Sequence, residues 1–177
     1  GMGIELVKSA LDAGHGVVGT ARDAAKVTAA LGEHDHLLPL SLDVTDPAAA
    51  QAAVDAIREV DQQTLIFVEG ERWSSAYHWP LVNANFLVKD PAERIVYEAH
   101  LYFDEDFSGK YLPGKSRNID PMLGVERARP FVEWLQKHGQ KGFLGEYGIP
   151  DDLPEASVAM DNLLAYLNDN CIPSAYW

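Results

Sequence analysis

The chain has a single cysteine and no long apolar run. Because Cys171 has no second cysteine to pair with, an intramolecular disulfide and a multi-cysteine zinc site are both excluded. Cys171 follows a helical pattern and is expected to be a small core residue. No apolar stretch approaches the roughly 20 residues that a membrane helix requires. No signal-peptide pattern is visible, which is consistent with a recombinant cytoplasmic protein but leaves the location open.

Basic residues are scarce. Lys and Arg together number 14 against 27 Asp and Glu, which gives a formal net charge of −13. A surface of this sign repels phosphate backbones, so nucleic acid is not expected as a partner, whereas a neutral oligosaccharide is compatible with it. The 6 histidines are scattered along the sequence, so no metal site is predicted.

Helical and strand patterns alternate along the chain. Apolar periodicity, caps and glycine stops predict helices near residues 4–11, 24–31, 47–60, 79–87, 125–138 and 154–170. Short apolar runs predict about six strands, at residues 17–21, 37–42, 65–68, 95–102, 142–145 and 174–177. Such alternation is typical of parallel βαβ units, so the predicted fold class is α/β. A closed barrel of this type needs eight strands, which leaves open whether the sheet closes.

Residues 1–62 resemble the beginning of a short-chain dehydrogenase. Three segments carry this resemblance in the family's order: GIELV at 3–7, HGVVGTARD at 15–23 and LSLDVTD at 40–46. They are similar to the end of the glycine-rich turn, the second strand and the third strand. The resemblance implies a Rossmann-like segment in which Arg22 accepts the 2′-phosphate of NADP and Asp43 contacts the adenine.

The dehydrogenase pattern is incomplete. The family's first strand and most of its glycine turn are absent, so nothing positions a pyrophosphate. Residues 68–70 read Val-Glu-Gly where the family has Asn-Asn-Ala-Gly. Tyr111 and Lys115 form a Tyr-x-x-x-Lys sequence, but Pro113 and Gly114 oppose the helix that such a pair requires. No cofactor is therefore predicted, and NADP is only a vestigial candidate.

Residues 63–177 resemble glycoside hydrolase family 5, the cellulase-like enzymes with a (β/α)8 barrel. Four segments carry the resemblance: IFVEG at 66–70, IVYEAHLYFD at 95–104, GFLGEYG at 142–148 and YW at 176–177. They are similar to the family's fifth to eighth strands, in barrel order. The resemblance implies a half (β/α)8 barrel, joined here to the Rossmann-like segment, with an oligosaccharide as ligand.

The second resemblance also implies a retaining glycosidase site. Such a site holds two carboxyl groups about 5–5.5 Å apart, one as nucleophile and one as acid/base. By resemblance, Glu146 is the nucleophile, and His100 and Tyr102 hold it and contact the sugar. Trp177 is implied as a platform for a pyranose ring, and Trp73 is a further candidate to line the cleft.

The acid/base of this pattern is missing. The family carries it as a Glu that follows an Asn on the fourth strand, and no Asn-Glu pair occurs in this sequence. Glu69 and Glu98 lie on neighbouring predicted strands, but no motif assigns either to the role. Loss of proton donation removes a factor of roughly 10²–10⁴ in rate, so glycosidase activity is expected to be absent or feeble.

These observations favour an artificial or recombined chimera without a complete active site. The two segments would join near residues 60–64 and pack as one domain. Two alternatives stay open: a family 5-like retaining endoglucanase that uses Glu146, and a sugar- or NADP-binding module without turnover. A half barrel exposes an apolar sheet face and unpaired strand edges, which predicts a homodimer.

Overall fold

Six helices and six strands follow one another in the computed structural model, which describes residues 2–43, 46–112, 119–150, 153 and 156–177. The helices are α1 (Met2–Asp12), α2 (Ala24–Leu31), α3 (Pro47–Val60), α4 (Trp79–Val82), α5 (Leu123–His138) and α6 (Ala156–Asp169). The strands are β1 (Val17–Ala21), β2 (Leu37–Ser41), β3 (Ile66–Glu69), β4 (Ile95–Tyr102), β5 (Gly142–Gly148) and β6 (Ser174–Tyr176).

All pairs of neighbouring strands are parallel, which confirms the predicted α/β class and the number of strands. The chain divides into two compact units, residues 1–61 and 62–177. The first unit contains the sheet β1-β2, and the second contains a sheet with the order β3-β4-β5-β6. None of the described helices combines the length and the apolar character needed to cross a bilayer.

Two of the predicted helix starts in the first unit are confirmed. The carboxylate of Asp23 accepts a hydrogen bond from the N–H of Ala25 at the start of α2. At the start of α3, the carboxylate of Asp46 accepts one from the N–H of Ala48. Pro47 lies in the first turn of α3, where its missing N–H has no helical partner to lose.

Strand β1 buries only one of its five residues. Gly19 is its buried residue, and a Cβ at this position would collide with Val27 of α2. The helix therefore packs against that face of the strand. Val18 points to the opposite face and is 54% exposed, because successive side chains of a strand alternate.

An aromatic cluster holds the second unit together. Trp79 of α4 lies 4.7 Å from Phe131 and 5.5 Å from Trp134, both on α5, between ring centroids. Trp134 in turn lies 5.0 Å from Tyr97 of β4. These rings are buried, so they fix α4 and α5 against the strand that carries most of the candidate site.

Two elements of this unit differ most from their predicted lengths. Helix α4 ends at Val82 instead of residue 87, because the buried Asn83 accepts a hydrogen bond from the N–H of Glu71 and the chain turns there. Strand β5 continues to Gly148 instead of ending at Gly145, because it keeps pairing with β4. The residues after Gly145 therefore lie in the sheet.

Cys171 is exposed, so its interpretation as a core residue is wrong. It follows the end of α6 with a φ of 55°. The N–H of Ile172 donates to the carbonyl of Leu167, and the N–H of Cys171 donates to that of Asn168. This pair of bonds is a Schellman C-cap, which places its left-handed residue outside the apolar face of the helix.

Apolar side chains are exposed on both outer strands of the larger sheet. Phe67 of β3 is 51% exposed and Tyr176 of β6 is 59% exposed. Exposed edge strands of this kind favour association between chains. The homodimer stays a prediction.

Candidate active site

The candidate site lies at the carboxyl ends of β4 and β5. The two strands pair regularly up to Ala99 and Leu144, and then His100 pairs with Glu146. Gly145 is thus an extra residue on β5, a bulge of the kind that re-aims side chains near active sites. As a result, Glu146 and His100 lie side by side at this edge of the sheet.

Two polar side chains from β4 face the two oxygens of Glu146. The phenol of Tyr102 donates a hydrogen bond to Oε1 at 2.6 Å. Nδ1 of His100 lies 3.8 Å from Oε2. On the other side of the ring, Nε2 of His100 lies 3.1 Å from Oε2 of Glu98. The imidazole therefore stands between two carboxylates.

The charges of these groups depend on one another. Burial, the hydrogen bond to Glu146 and the charge of Glu146 all raise the pKa of Tyr102, so the phenol keeps the proton that it donates. Burial lowers the pKa of His100, but the hydrogen bond and charge of Glu98, with the charges of Glu146 and Glu69, outweigh this effect. The net rise in the pKa of His100 favours the imidazolium form.

A cavity of about 800 Å³ opens over these residues. This volume lies within the range of roughly 300–1,000 Å³ that is typical of small-molecule sites. Its lining brings together Trp73, His100, Tyr102 and Glu146, four of the residues that the resemblance implies. Trp177 is not part of that lining. It follows β6, is 64% exposed and donates its backbone N–H to the carbonyl of Tyr147.

A left-handed turn after β3 positions Trp73. Residues 72–74 all have a φ of 53°, a conformation that costs non-glycine residues energy and is frequent at functional sites. The buried hydroxyl of Ser74 secures this turn, because it donates to the carbonyl of Glu98 and accepts from the N–H of Gly70. Trp73 is consequently held in the cavity with its side chain 88% exposed.

Sequence reasoning missed an aromatic wall of the cavity. Tyr77 and Phe107 stack at 5.4 Å, and the guanidinium of Arg127 lies 4.1 Å above the Phe107 ring. Arg127 also donates to the carbonyls of Tyr102 and Asp104, which joins this wall to the end of β4. One available signal was Phe107, an aromatic residue inside the polar run of residues 104–110. The other was Arg127, a charged residue on the buried face of α5.

A second histidine of the cavity has the opposite electrostatic environment. The ring of His78 lies 4.8 Å from that of Phe107 and within 3.0 Å of the Ser75 hydroxyl. Burial and the charges of Arg72 and Arg127 lower the pKa of His78. This histidine therefore favours the neutral form, which does not add positive charge beside Arg127.

The residues implied by the dehydrogenase resemblance lie in the first unit. Arg22 directly follows β1, and Asp43 follows β2 after one intervening residue. Because β1 and β2 are parallel neighbours, both residues are at the same edge of that sheet, and both are exposed. Val44 and Thr45 of the LSLDVTD segment are outside the described residues.

The Tyr-x-x-x-Lys sequence does not supply a tyrosine that loses its proton easily. The hydroxyl of Tyr111 donates to the carbonyl of Gly148 at 2.6 Å and accepts from the N–H of Phe103 at 3.0 Å. Burial is the main cause that raises the pKa of Tyr111 to about 12. Lys115 lies outside the described residues. Tyr111 therefore ties the end of β4 to the end of β5.

One group of side chains has donor atoms suited to a metal ion. Glu69, Glu98 and His100 each offer a ligand atom, and these atoms lie within 4.8 Å of one another. However, Nε2 of His100 is already paired with Oε2 of Glu98. A metal ion would have to break this ion pair to bind Nε2 and Oε2, so we assign no metal here.

Enzymes built on parallel (β/α) barrels carry their active sites at the carboxyl ends of the strands, which is where this carboxylate, its tyrosine and its histidine lie. Comparison with known proteins identifies the family. The chain belongs to glycosyl hydrolase family 5 (cellulase), whose sequence profile matches residues 44–177.

The similar proteins are endoglucanases. Probable endo-beta-1,4-glucanase B of Aspergillus niger is 36% identical over 122 residues, which cover 68% of this chain and 35% of that protein. A crystal structure of Pseudomonas stutzeri endoglucanase Cel5A is 86% identical over 74% of this chain and 41% of its own, with a TM-score of 0.72. Another, in complex with cellobiose, is 72% identical over 87% of this chain and 49% of its own, with a TM-score of 0.73. This chain thus spans about a third to a half of the length of these relatives.

The hypothesis of a chimera without catalysis is wrong. The family match begins at residue 44, before the predicted junction at residues 60–64, and the relatives are endoglucanases. The comparisons also give no support to the dehydrogenase resemblance of residues 1–62. That resemblance relied on three short segments around two apolar strands, and alternating strands and helices of this kind are shared by parallel βα units of many families.

Proposed function

We propose that this chain carries the nucleophile side of a retaining endo-β-1,4-glucanase site, with Glu146 as the nucleophile. The observation that carries the proposal is the 2.6 Å hydrogen bond from Tyr102 to Glu146 in the 800 Å³ cavity. The relatives' printed names, and the cellobiose complex of one of them, support a β-1,4-glucan as the substrate class.

We assign separate tasks to the two oxygens of Glu146. Tyr102 holds Oε1, so Oε2 is the oxygen that attacks C1 of the sugar. As the bond from Oε2 to C1 forms, the bond from C1 to the leaving oxygen breaks, and the leaving oxygen takes the electron pair and a proton. Water then cleaves the glycosyl–enzyme bond, which restores the carboxylate and retains the sugar's configuration.

The leaving oxygen requires a second carboxyl group as its proton donor. Glu98 does not suit this task, because it is buried and paired with His100. This chain covers 35% to 49% of its relatives' length. The acid/base is accordingly assigned to the part of the family barrel that the chain does not span.

Exposed aromatic faces are the proposed contacts for the sugar. Trp73 is 88% exposed and Tyr77 is 44% exposed, and both line the cavity. Flat aromatic rings bury the apolar face of a pyranose at low cost in conformational entropy. His100 and Tyr102 contact the sugar from the floor of the cavity, and Trp177 stays a prediction as a further platform.

A mechanism-based label tests the nucleophile without the acid/base. The reagent is 2,4-dinitrophenyl 2-deoxy-2-fluoro-β-cellobioside, whose dinitrophenolate leaves without being protonated. We expect the wild-type chain to gain one fluorocellobiosyl group, located by mass spectrometry of peptides at Glu146.

Two variants of the chain are compared with the wild type in this labelling experiment. Glu146→Gln is expected to remain unlabelled, because the amide is a poor nucleophile. Glu133→Gln changes an exposed residue of α5 and is expected to be labelled like the wild type. An unlabelled wild type, or a labelled Glu146→Gln variant, would overturn the assignment.

A further inference from the structure

Glu98 is a buried carboxylate that the proposed mechanism does not use. It lies in the middle of β4 and is 7% exposed. Its Oε2 is 3.1 Å from Nε2 of His100, whose Nδ1 is 3.8 Å from Oε2 of Glu146. The imidazole thus connects a buried carboxylate on one side with the cavity carboxylate on the other.

We infer that Glu98 is a positioning residue for the nucleophile, which acts through His100 by fixing the orientation and the positive charge of its ring. The inference rests on the proposed role of Glu146. Glu98 itself does not touch the sugar.

The burial of Glu98 needs a compensating charge. An ionised carboxylate that is removed from water costs several kcal/mol unless an opposite charge or hydrogen bonds offset the loss. Oε2 of Glu98 is buried and lies 3.1 Å from Nε2 of His100. The protonated ring of His100 is therefore the group that compensates this oxygen.

The bulge next to the nucleophile is also built around Glu98. A Cβ on Gly145 would overlap with Oε1 of Glu98. A side chain at this position would force the carboxylate of Glu98 to move. The backbone carbonyl of Glu98 is held as well, because it accepts a hydrogen bond from the buried Ser74 hydroxyl. The same contacts fix Glu98, the bulge and the left-handed turn that carries Trp73.

Three carboxylates act on the charge of His100. Glu98 lies on the same strand, Glu146 on β5 and Glu69 at the end of β3, and each raises the pKa of His100 against the lowering effect of burial. Among them, Glu98 alone combines a hydrogen bond with its charge. When Glu98 is replaced by glutamine, the imidazole loses this partner, and its pKa is expected to fall.

The first test follows the ring of His100 by NMR during a pH titration, with EDTA present to exclude metal ions. An opposite charge in direct contact shifts a pKa by about 1–3 units, so Glu98→Gln is expected to lower the pKa of His100 by about one unit or more. Glu133→Gln is the matched control and is expected to leave it unchanged. If glutamine prevents folding, Glu98→Asp retracts the carboxylate and is expected to give a smaller fall. An unchanged pKa of His100 in the folded variant would overturn the inference.

The second test follows the labelling of Glu146. In Glu98→Gln, the first-order rate of labelling at saturation is expected to fall at least tenfold at neutral pH, while the reagent's half-saturating concentration stays within twofold. An unchanged rate, together with a lowered pKa of His100, would overturn the positioning role. A wild type that is never labelled would overturn the proposed function, and the NMR titration would then decide on the pairing of Glu98 with His100.

Discussion

The phenol of Tyr102 donates a hydrogen bond of 2.6 Å to Oε1 of Glu146, across the boundary between β4 and β5. Without the bulge at Gly145, the pairing of the two strands would bring Gly145 opposite His100 instead of Glu146. The bulge therefore places Glu146 where both His100 and Tyr102 reach it. This relationship links the backbone irregularity directly to the proposed chemistry.

The first prediction concerns Tyr102→Phe. The substitution removes the hydrogen bond to Oε1 and leaves that oxygen free to rotate. A hydrogen bond to a charged group contributes about 1.5–3 kcal/mol, so the labelling rate of Glu146 is expected to fall by roughly 10- to 100-fold. The measurement is the time course of labelling by mass spectrometry. Tyr166→Phe, on α6 and outside the cavity lining, should label at the wild-type rate. Equal rates in all three proteins would contradict the assigned role of Tyr102.

The second prediction separates two exposed tryptophans. Trp73 is 88% exposed within the cavity lining, whereas Trp177 is 64% exposed outside it. Trp73→Ala is expected to weaken the binding of cellotetraose at least fivefold, measured by calorimetry. Because the side chain packs against little, its free energy of unfolding should change by less than about 0.5 kcal/mol. Trp177→Ala should weaken this binding less than Trp73→Ala, and a larger loss there would show that Trp177 is the main platform.

Much of the fold was predictable because its signals are local. The apolar run of β4, the cap at Asp46 and the stop at Gly139 are read from neighbouring residues, and the structure has the same boundaries. The extension of β5 beyond Gly145 was not predictable, because it depends on pairing with β4 around a bulge. The early end of α4 has the same kind of cause, the long-range bond between Asn83 and Glu71.

Part of the candidate site was likewise predictable from the sequence, and part was not. The resemblance named Glu146, His100 and Tyr102, and strand periodicity alone puts His100 and Tyr102 on one face. It also puts Glu98 on that face, two residues before His100, so the pairing of these two residues could have been predicted from the sequence. The stacking of Tyr77 on Phe107 could not have been predicted, because 30 residues separate them and only the folded loops bring them together.

The third prediction concerns pH. The pKa of His100 is raised in the folded chain, so its charged form stabilises the fold. This stabilisation is complete below the ordinary histidine value of about 6.5 and is lost as the pH rises through the higher folded value. We expect the free energy of unfolding to fall with rising pH in this window, measured by urea unfolding. In His100→Gln, that part of the pH dependence should disappear. An identical pH dependence in both proteins would contradict the prediction.

The last prediction compares two helix ends that have the same type of C-cap. Gly139 after α5 and Cys171 after α6 both occupy the left-handed position of a Schellman cap, with φ values of 63° and 55°. The left-handed conformation costs a non-glycine residue about 1–2 kcal/mol, partly offset by the greater freedom of glycine in the unfolded chain. Cys171→Gly is therefore expected to raise the free energy of unfolding by about 0.5–1 kcal/mol, and Gly139→Ala to lower it by a similar amount.

The control for this comparison is Cys171→Ala, which removes the thiol but keeps a Cβ in the left-handed position. Its free energy of unfolding is expected to stay within about 0.5 kcal/mol of the wild type, because Cys171 is exposed. Urea unfolding followed by tryptophan fluorescence reports on the second unit, since all 4 tryptophans of the chain lie within residues 62–177. If alanine and glycine at position 171 raise the stability equally, the thiol and not the backbone conformation is the source of the strain.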